Sequence, residues 1–598
     1  MSIPKYSIEN KQVSTLLAWI RSGEIAIPEI QRPFVWKPSK VRDLLDSLLK
    51  GFPVGFMIMW QNPSVRLKDG SVSAGKRILI DGQQRMTALM AALLGHEVIT
   101  KDYRKARIRI AYHPIERRFE VSNPAIRKDT LWIPDITQIF DPHFDSYTFI
   151  NDYCQRHPQF TPADINKSIN NLIQIQNNPM GIIVLEPSLD IETVTEIFVR
   201  VNSAGVPLSQ ADFAMSKIAV NQTYNGHLLR KAIDYFCHLA VEPDFYGAIE
   251  RNDHDFAATD YFRKMAWLKR ENDDLYDPSY NDMLRVTFTS QFRRGRLQDL
   301  VALLSGRNFE TKQYEEHIVE DTFNRLRDGV LNFMNETHFQ RFVMIIKSAG
   351  FINASLIGSQ MSLNFAYILY LTLRDQKLPD AEIERQVRRW FVMSILTGRY
   401  SGSPESTIDL DIRQIDAQGI AAYADVTIKG QLSDAFWDTT LPQAMDTSSA
   451  NSPYFNIYRA AQVKLGDKGF LSRDITVREL IEHKSDVHHI FPRDFLKKAG
   501  KNRAQYNQIA NYVIAQTEIN IQIGKKEPRV YFREILEQVS GRKRYYGNIT
   551  TPDELDENLA MNCIPKGIED MTIDDYPDFL KERRKLMAQK IKTYFESL

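Results

Sequence analysis

The chain has 598 residues, too many for one hydrophobic core, and its 43% hydrophobic and 25% charged residues are typical of a soluble globular protein. Its 76 Lys and Arg residues balance 75 Asp and Glu residues, and the formal net charge of +1 excludes a nonspecific cationic coat for nucleic acid. No apolar run reaches membrane-spanning length and Met1 to Asn10 lack an apolar signal core, so we expect a cytoplasmic protein without a membrane partner.

The first two hundred residues combine helical and strand patterns. Apolar residues at helical spacing predict a helix over 13–20, and a second helix, capped by Ser39, is predicted to run to Lys50. Short apolar runs predict strands at 54–60, 105–112, 118–122 and 181–186. This mixture predicts an α+β domain.

A strand, a tight turn and a helix follow one another between residues 78 and 95. Ile78 to Ile80 are apolar, Asp81-Gly82 turns the chain, and the next helix has its apolar stripe on Met86, Leu89, Met90 and Leu93. The turn places Gln83, Gln84 and Arg85 in the first helical turn, where unpaired N–H groups attract anions. Gly82 would let the backbone approach a phosphate, and Arg85 could clamp it. A plain Asp-Gly turn with a solvated arginine is an equal alternative.

Three motifs together resemble the N-terminal half of the GmrSD-type modification-dependent restriction proteins. They are Ile-Pro-x-x-Gln-Arg-x-x-x-Trp at 27–36, Asp-Gly-Gln-Gln-Arg at 81–85, and the run 198–209 that contains Asn202. The resemblance implies a ParB/sulfiredoxin-like α+β fold that binds and hydrolyses a nucleoside triphosphate (NTP), with Asp81 handling metal or water. The implied nucleotide-binding residues are Gln31, Arg32, Asp81, Gly82, Gln83, Gln84, Arg85 and Asn202.

Beyond Gln222 the strand patterns stop. Helical spacing recurs over 224–239, 257–269, 297–304, 312–334, 337–348, 363–374 and 381–394. An all-helical middle domain is predicted, and its default role is that of a scaffold.

The stretch from Asp486 to Lys526 carries the residues for chemistry. His488 and His489 lie on a short apolar run closed by Pro492, and the run 511–515 supplies a partner strand. Asn520 would fall near the start of a short helix, which gives a β-β-helix unit of the size that folds around an ion. Hydrolysis of a phosphodiester needs a base that takes a proton from water, a cation that stabilises the charge on the leaving oxygen, and a group that orients the base. The alternative is a hydrogen-bonded histidine pair with asparagines in turns.

This arrangement resembles the HNH, or ββα-metal, endonucleases. The resemblance implies that His489 is the general base, that Asn511 fixes the hairpin and orients this base, and that His488 and Asn520 hold Mg²⁺ or Mn²⁺. His488 stands where most members have aspartate, and Asn520 stands where many have a final histidine. Asp486, on the same strand face as His488, could restore the oxygen ligand that the aspartate would supply. None of the three cysteines forms a Cys-x-x-Cys pair, so a structural zinc knuckle has no support.

We therefore predict a multidomain α+β protein with a nucleotide-binding domain over 1–222, a helical middle over 223–396 and a mainly helical nuclease domain over 397–598. The predicted function is nucleotide-regulated, metal-dependent cleavage of double-stranded foreign DNA, with modified phage DNA as the expected substrate, by a chain that could form a homodimer. Two alternatives stay open: a nucleotide-responsive DNA-binding sensor without nuclease activity, and an RNA-cutting toxin.

Overall fold

The computed structural model describes most of the chain. The described residues are 5–22, 24–26, 36–61, 77–99, 105–189, 193–194, 197, 209–221, 223–270, 275–483 and 487–598. Four of the predicted site residues, Gln31, Arg32, Asn202 and Asp486, lie outside this described part of the chain.

The strands are short and concentrated in the first two hundred residues. They are β1 (Tyr6–Gln12), β2 (Ile25–Ala26), β3 (Met57–Gln61), β4 (Arg77–Asp81), β5 (Val98–Ile99), β6 (Lys105–Ala106), β7 (Ile110–His113), β8 (Arg118–Val121), β9 (Pro179–Leu185), β10 (Val487–His489) and β11 (Tyr512–Ile514).

Helices make up most of the remaining described residues. Up to residue 264 the described helices are α1 (Val13–Arg21), α2 (Pro38–Leu49), α3 (Gln83–Leu93), α4 (Pro124–Lys128), α5 (Ser146–Arg156), α6 (Pro162–Ile173), α7 (Gln210–Val220), α8 (Gly226–Val241), α9 (Phe245–Asn252), α10 (His254–Ala257) and α11 (Asp260–Lys264). Those that follow, up to residue 465, are α12 (Tyr280–Phe292), α13 (Leu297–Leu303), α14 (Glu316–Phe333), α15 (Glu336–Ser348), α16 (Gln360–Asp375), α17 (Asp380–Leu396), α18 (Pro404–Gln418), α19 (Ile420–Gln431), α20 (Leu441–Ala444) and α21 (Pro453–Leu465). From residue 477 onward the described part of the chain contains α22 (Val477–Glu482), α23 (Arg493–Lys498), α24 (Arg503–Tyr506), α25 (Thr517–Ile523), α26 (Pro528–Val539), α27 (Pro552–Met561) and α28 (Tyr576–Glu596).

The chain divides into two compact units. The first comprises Met1–Asn272, Pro278–Asn281 and Leu300–Arg327, and the second comprises Asp273–Asp277, Asp282–Asp299 and Asp328–Leu598. Residues 223–396 contribute to both units. The division into three domains at 222 and 396 stays a prediction.

A five-stranded mixed sheet in the first unit carries the Asp81-Gly82 turn. Its strand order is β1-β9-β3-β4-β2, with β3 and β4 antiparallel and β9 parallel to β3. Because side chains alternate along a strand, Met57, Met59 and Leu79 join one apolar cluster, while Ile58, Trp60 and Ile80 join another. Apolar packing on both faces therefore fixes the end of β4, where the turn begins.

The local predictions for the first unit mostly agree with the structure. The strand and helix around Asp81-Gly82 are confirmed as β4 and α3. Ser209 and Asp212 form a capping box at the start of α7. The predicted Ser39 cap is wrong: α2 begins at Pro38, and its N-cap residue Lys37 makes no side-chain capping bond. Proline fits the first helical position because it has no N–H to satisfy, so the helix starts two residues earlier than a Ser39 cap would allow.

The second unit is mainly helical and buries many large apolar side chains. Every residue of α16 from Ser362 to Leu373 is buried, and its Tyr367 ring stacks on Phe342 with ring centroids 4.5 Å apart. The expected helices of the middle segment are present, but α12 was not predicted. Its residues from Met283 to Ser290 are all buried, so the sequence shows no alternation between apolar and polar faces.

The architecture is therefore mixed α+β, mostly helical, with small sheets and a size typical of several domains. Among the helices of the described residues, none combines the length and the hydropathy that crossing a membrane requires. The ParB/sulfiredoxin-like and ββα-metal assignments stay predictions.

Candidate active site

Two short strands and a helix bring the predicted nuclease residues together in the second unit. β10 pairs antiparallel with β11, so that His488 faces Val513 and His489 faces Tyr512 in the register, and α25 follows β11 directly. Pro492 follows β10 and cannot donate to a ladder, while β-branched and aromatic residues favour the extended backbone of β11. The predicted strand pairing and the helix that carries Asn520 are confirmed.

His488 is a buried, neutral imidazole. Its side chain lies 2.5 Å from Asn520, measured from Nδ1 to Oδ1, and the residue is 4% exposed. Burial lowers the pKa of His488 to about 4, more than the Asn520 contact raises it, so the ring is unprotonated near neutral pH. Nε2 is buried and has no hydrogen-bond partner among the described residues. A buried imidazole nitrogen without a hydrogen-bond partner lowers the stability of the fold, unless a ligand or water molecule supplies that partner.

His489 is held by a different set of contacts. Its Nε2 lies 3.0 Å from Asn507 Oδ1, and its ring meets the Tyr512 ring edge-on, with centroids 5.0 Å apart and planes at 89°. Burial lowers the pKa of His489 and the charge of Arg493 adds to this, while the Asn507 contact acts in the opposite direction. His489 is therefore also neutral at physiological pH, as a general base must be.

Asn511 fixes the chain where β10 ends. The residue is 0% exposed, and its Oδ1 accepts from the Phe491 backbone N–H at 2.8 Å. Its Nδ2 donates to the carbonyl oxygens of Phe491 at 3.0 Å and Tyr506 at 3.2 Å. These bonds tie three backbone segments together, which fits the predicted role of fixing the hairpin. Its predicted action on the base His489 stays a prediction, because the hydrogen-bond partner of the His489 ring is the side-chain oxygen of Asn507.

Asn507 is the residue that the sequence analysis missed. It lies four positions before Asn511 and one residue after α24, whose start is fixed by a capping box between Asn502 and Gln505. A polar residue just after such a short capped helix was the available signal, but spacing alone did not indicate which histidine it would reach.

Both histidines open onto one cavity of about 510 Å³. The residues that line it are Val487, His488, His489, Pro492, Arg493, Asp494, Asn520 and Gly524. The described residues contain no group of three or more His, Cys, Asp and Glu residues that could hold a metal ion.

The residues present fit a divalent cation as a nitrogen and oxygen pair. His488 Nδ1 and Asn520 Oδ1 lie 2.5 Å apart, and without an ion the Nδ1 hydrogen would be donated to the carboxamide oxygen. A cation held by both atoms would replace this hydrogen, which would move to Nε2, and the mixed donor set suits Mn²⁺ as well as Mg²⁺. His488 and Asn520 would hold the ion, and Asp486, the third predicted ligand, lies outside the described residues.

The Asp81-Gly82 turn brings together the other described site residues. Gly82 has φ +99°, in the left-handed region, and a Cβ there would lie 2.6 Å from Met57 Cγ. Glycine is thus required both by conformation and by space. Gln83 is 7% exposed at the first position of α3, and its buried Oε1 has no hydrogen-bond partner among the described residues.

Arg85 is paired within the same turn. Its Nη2 donates to Asp81 Oδ2 at 3.0 Å and its Nη1 donates to the Val54 carbonyl oxygen at 3.0 Å. Burial lowers the pKa of Arg85, against the opposing effect of Asp81. The approach of Nη1 to the backbone requires Gly55, because a Cβ on Gly55 would lie 2.6 Å from it. Asp81, Gly82, Gln83, Gln84 and Arg85 therefore adjoin one another where β4 ends and α3 begins.

The part of the chain that contains this turn is similar to a known protein family. Residues 13–219 match the family model for the GmrSD restriction endonuclease, N-terminal domain. The match contains the whole Asp81 to Arg85 turn, supports a GmrSD-type restriction endonuclease family and points to a role in phage defence. An uncharacterized protein of Methanocaldococcus jannaschii is 22% identical over 567 residues, which cover 89% of this chain and 88% of that protein.

Proposed function

We propose that the protein is a metal-dependent DNA endonuclease of the HNH type that cuts modified phage DNA under the control of a nucleotide. The observation that carries the proposal is the C-terminal cavity, where two neutral histidines and Asn520 meet on a strand pair followed by a helix. The match of residues 13–219 to a restriction endonuclease domain supports DNA as the substrate.

The chemistry assigns one role to each histidine. Neutral His489 removes a proton from water, the oxygen of that water attacks the phosphorus, and the bond from phosphorus to the leaving sugar oxygen breaks. His488 and Asn520 hold the cation, and Asn511 keeps the end of β10 in place. When bound, the Mg²⁺ or Mn²⁺ ion supplies positive charge that stabilises the negative charge developing on the phosphate.

Basic side chains beside the cavity suit the DNA backbone. Arg493 lines the cavity, and Arg493, Lys497 and Lys498 are exposed on α23, which begins four residues after His489. Tyr546 is not available to stack on a base, because this residue is 2% exposed and its hydroxyl accepts from Lys526. Phosphate contacts through α23 position the scissile bond without reading the sequence.

The Asp81 to Arg85 turn is the proposed nucleotide site. The first turn of α3 offers backbone N–H groups to an anion, and Gln83 has a buried oxygen that a base or sugar donor would satisfy. A phosphate would compete with Asp81 for Arg85, which would release the Asp81 carboxylate for a metal or a water molecule. We infer that this exchange is what couples NTP binding, and its hydrolysis, to DNA cleavage.

The deciding experiment incubates the purified chain with modified and unmodified phage genomes. Each is offered with Mg²⁺ or Mn²⁺, with and without an NTP, and an RNA substrate is run beside them. The proposal predicts metal-dependent double-strand breaks in modified DNA. Retention of DNA without cleavage under every condition would favour the sensor, and cleavage restricted to RNA would favour the toxin.

A further inference from the structure

The hydrogen bond between His489 and Asn507 determines where the imidazole proton lies. A carboxamide oxygen only accepts hydrogen bonds, so its contact with Nε2 at 3.0 Å requires that Nε2 carry the hydrogen. A neutral imidazole has one N–H, and the lone pair must then lie on Nδ1. No described residue forms a hydrogen bond with Nδ1, which leaves this nitrogen available to a water molecule in the cavity that His489 lines.

The position of Asn507 is itself fixed by the surrounding backbone. Its N–H donates to the Arg503 carbonyl oxygen at 3.1 Å, which ends α24, and the preceding carbonyl of Tyr506 accepts from Asn511. Asn511 also holds the backbone of Phe491, two residues after His489. Asn507 and His489 are therefore bound to the same side chain through short stretches of backbone, and their separation cannot change without breaking buried bonds.

The ring of His489 has a second restraint. The edge-on contact with Tyr512 limits rotation about the bond from Cβ to the ring, so the two ring nitrogens cannot exchange places freely. The acceptor oxygen of Asn507 at Nε2 and the Tyr512 ring beside the imidazole together favour one ring orientation and one tautomer of His489.

We propose that Asn507 is the positioning residue of the general base, and that it fixes His489 as the Nε2–H tautomer with the Nδ1 lone pair exposed to the cavity. The tautomer follows from the contact alone, whereas its use in catalysis rests on the proposed nuclease function. Orienting partners of this kind act through the residue that they hold, because the wrong tautomer offers an N–H where the reaction needs a lone pair.

The tautomer can be measured without any substrate. The full chain is labelled with ¹⁵N-histidine, the His489 signals are assigned by their loss in His489→Gln, and the two ring nitrogens are compared by NMR. Wild type is expected to show a protonated Nε2 and an unprotonated Nδ1. Asn507→Asp keeps an acceptor oxygen and should keep this pattern, while Asn507→Leu removes the acceptor and should give a mixture of both tautomers.

Asn502→Asp is the matched control. Asn502 caps α24 through Gln505, aspartate caps equally well, and the substitution adds the same charge as Asn507→Asp five residues earlier in the chain. The control should leave the His489 signals unchanged. An Nδ1–H tautomer in wild type, or an unchanged pattern in folded Asn507→Leu, would overturn the proposal. If Asn507→Leu does not fold, the wild-type and Asn507→Asp spectra still decide it.

Cleavage kinetics provide the second readout. Asn507→Leu should lower kcat by about ten- to a hundredfold, as is typical for loss of an orienting partner, with KM for DNA nearly unchanged. Asn507→Asp should recover most of that rate. An equal fall in both variants would show a purely structural role and contradict the proposal. Absence of cleavage by wild type would refute the proposed function, while the spectra would still report the tautomer.

Discussion

The Asp81 to Arg85 turn and the β10–β11 cavity use polar side chains in opposite ways. In the turn, the charged side chains of Arg85 and Asp81 form an ion pair with each other, and Arg85 also donates a hydrogen bond to a backbone carbonyl. In the cavity, both histidines are neutral, and their partners are the carboxamides of Asn520 and Asn507. Under the proposed function, an anionic ligand would replace Asp81 as the partner of Arg85, whereas the lone pairs in the cavity would serve a cation and a water molecule.

This difference explains why the two sites should respond differently to mutation. Removing a general base lowers the rate of the chemical step by orders of magnitude, because its lone pair takes part in that step. Removing one member of an ion pair changes the affinity for a ligand by the few kcal/mol that a charged hydrogen bond contributes. Four predictions test this contrast, beginning with the greatest expected effect.

His489→Ala should lower the DNA cleavage rate by about 10²–10⁴-fold, which is what a positioned general base contributes. The fold and nucleotide binding should persist, since His489 lies in the second unit and the turn lies in the first. Cleavage rates and nucleotide titrations check the two halves of this prediction. Full cutting by a clean preparation of the variant would remove His489 from the mechanism.

Asn520→Ala should weaken divalent cation binding, because it deletes the oxygen of the proposed ligand pair. At a cation concentration about a hundred times its Kd, wild type gains about 2.7 kcal/mol of stability, and the variant should lose most of that gain. Thermal unfolding with and without Mn²⁺ measures the difference. Asn520→Asp keeps an oxygen and should retain the gain, and Glu518→Ala, exposed on the same helix, controls for loss of helix stability. Equal gains in all variants would exclude this pair as the metal site.

Arg85→Ala should lower nucleotide affinity by about ten- to a hundredfold, since a hydrogen bond to a charged group contributes about 1.5–3 kcal/mol. Cleavage should then no longer respond to nucleotide. Arg127→Ala removes an exposed arginine at the end of α4 and should change neither property. If wild type and Arg85→Ala cleave at identical rates with and without nucleotide, the proposed coupling is wrong.

Gly55→Ala should have the smallest effect, and Gly51→Ala isolates its cause. Both glycines have positive φ, +86° and +70°, so alanine should cost about 1–2 kcal/mol of stability at either position. Only the Gly55 Cβ would meet Arg85 Nη1, whereas a Cβ on Gly51 would meet nothing within 4 Å. Urea unfolding should therefore give similar losses, and isothermal titration should show weaker nucleotide binding only for Gly55→Ala. Weaker binding by both would assign the effect to backbone strain.

Local patterns in the sequence predicted much of both sites. The helix α3 could be predicted because a helix that packs on one face repeats its apolar residues at helical spacing. The Asp81-Gly82 turn could be predicted because few residues other than glycine adopt positive φ. The pairing of β10 with β11 was predicted from two short apolar runs. The helix α12 was not predicted, because its residues are buried on all sides and the sequence therefore lacks the apolar periodicity on which a helix prediction depends.

The sequence by itself determined which residues begin and end the elements of each site, since capping, turn formation and apolar spacing act over a few neighbouring positions. Only the tertiary structure decided which side chains are partners: Arg85 with Val54 across 31 positions, His488 with Asn520 across 32, and His489 with Asn507 across 18. The physical reason is that a hydrogen bond depends on distance and direction in space. Those are set by how sheets and helices pack, and residue order along the chain does not contain them.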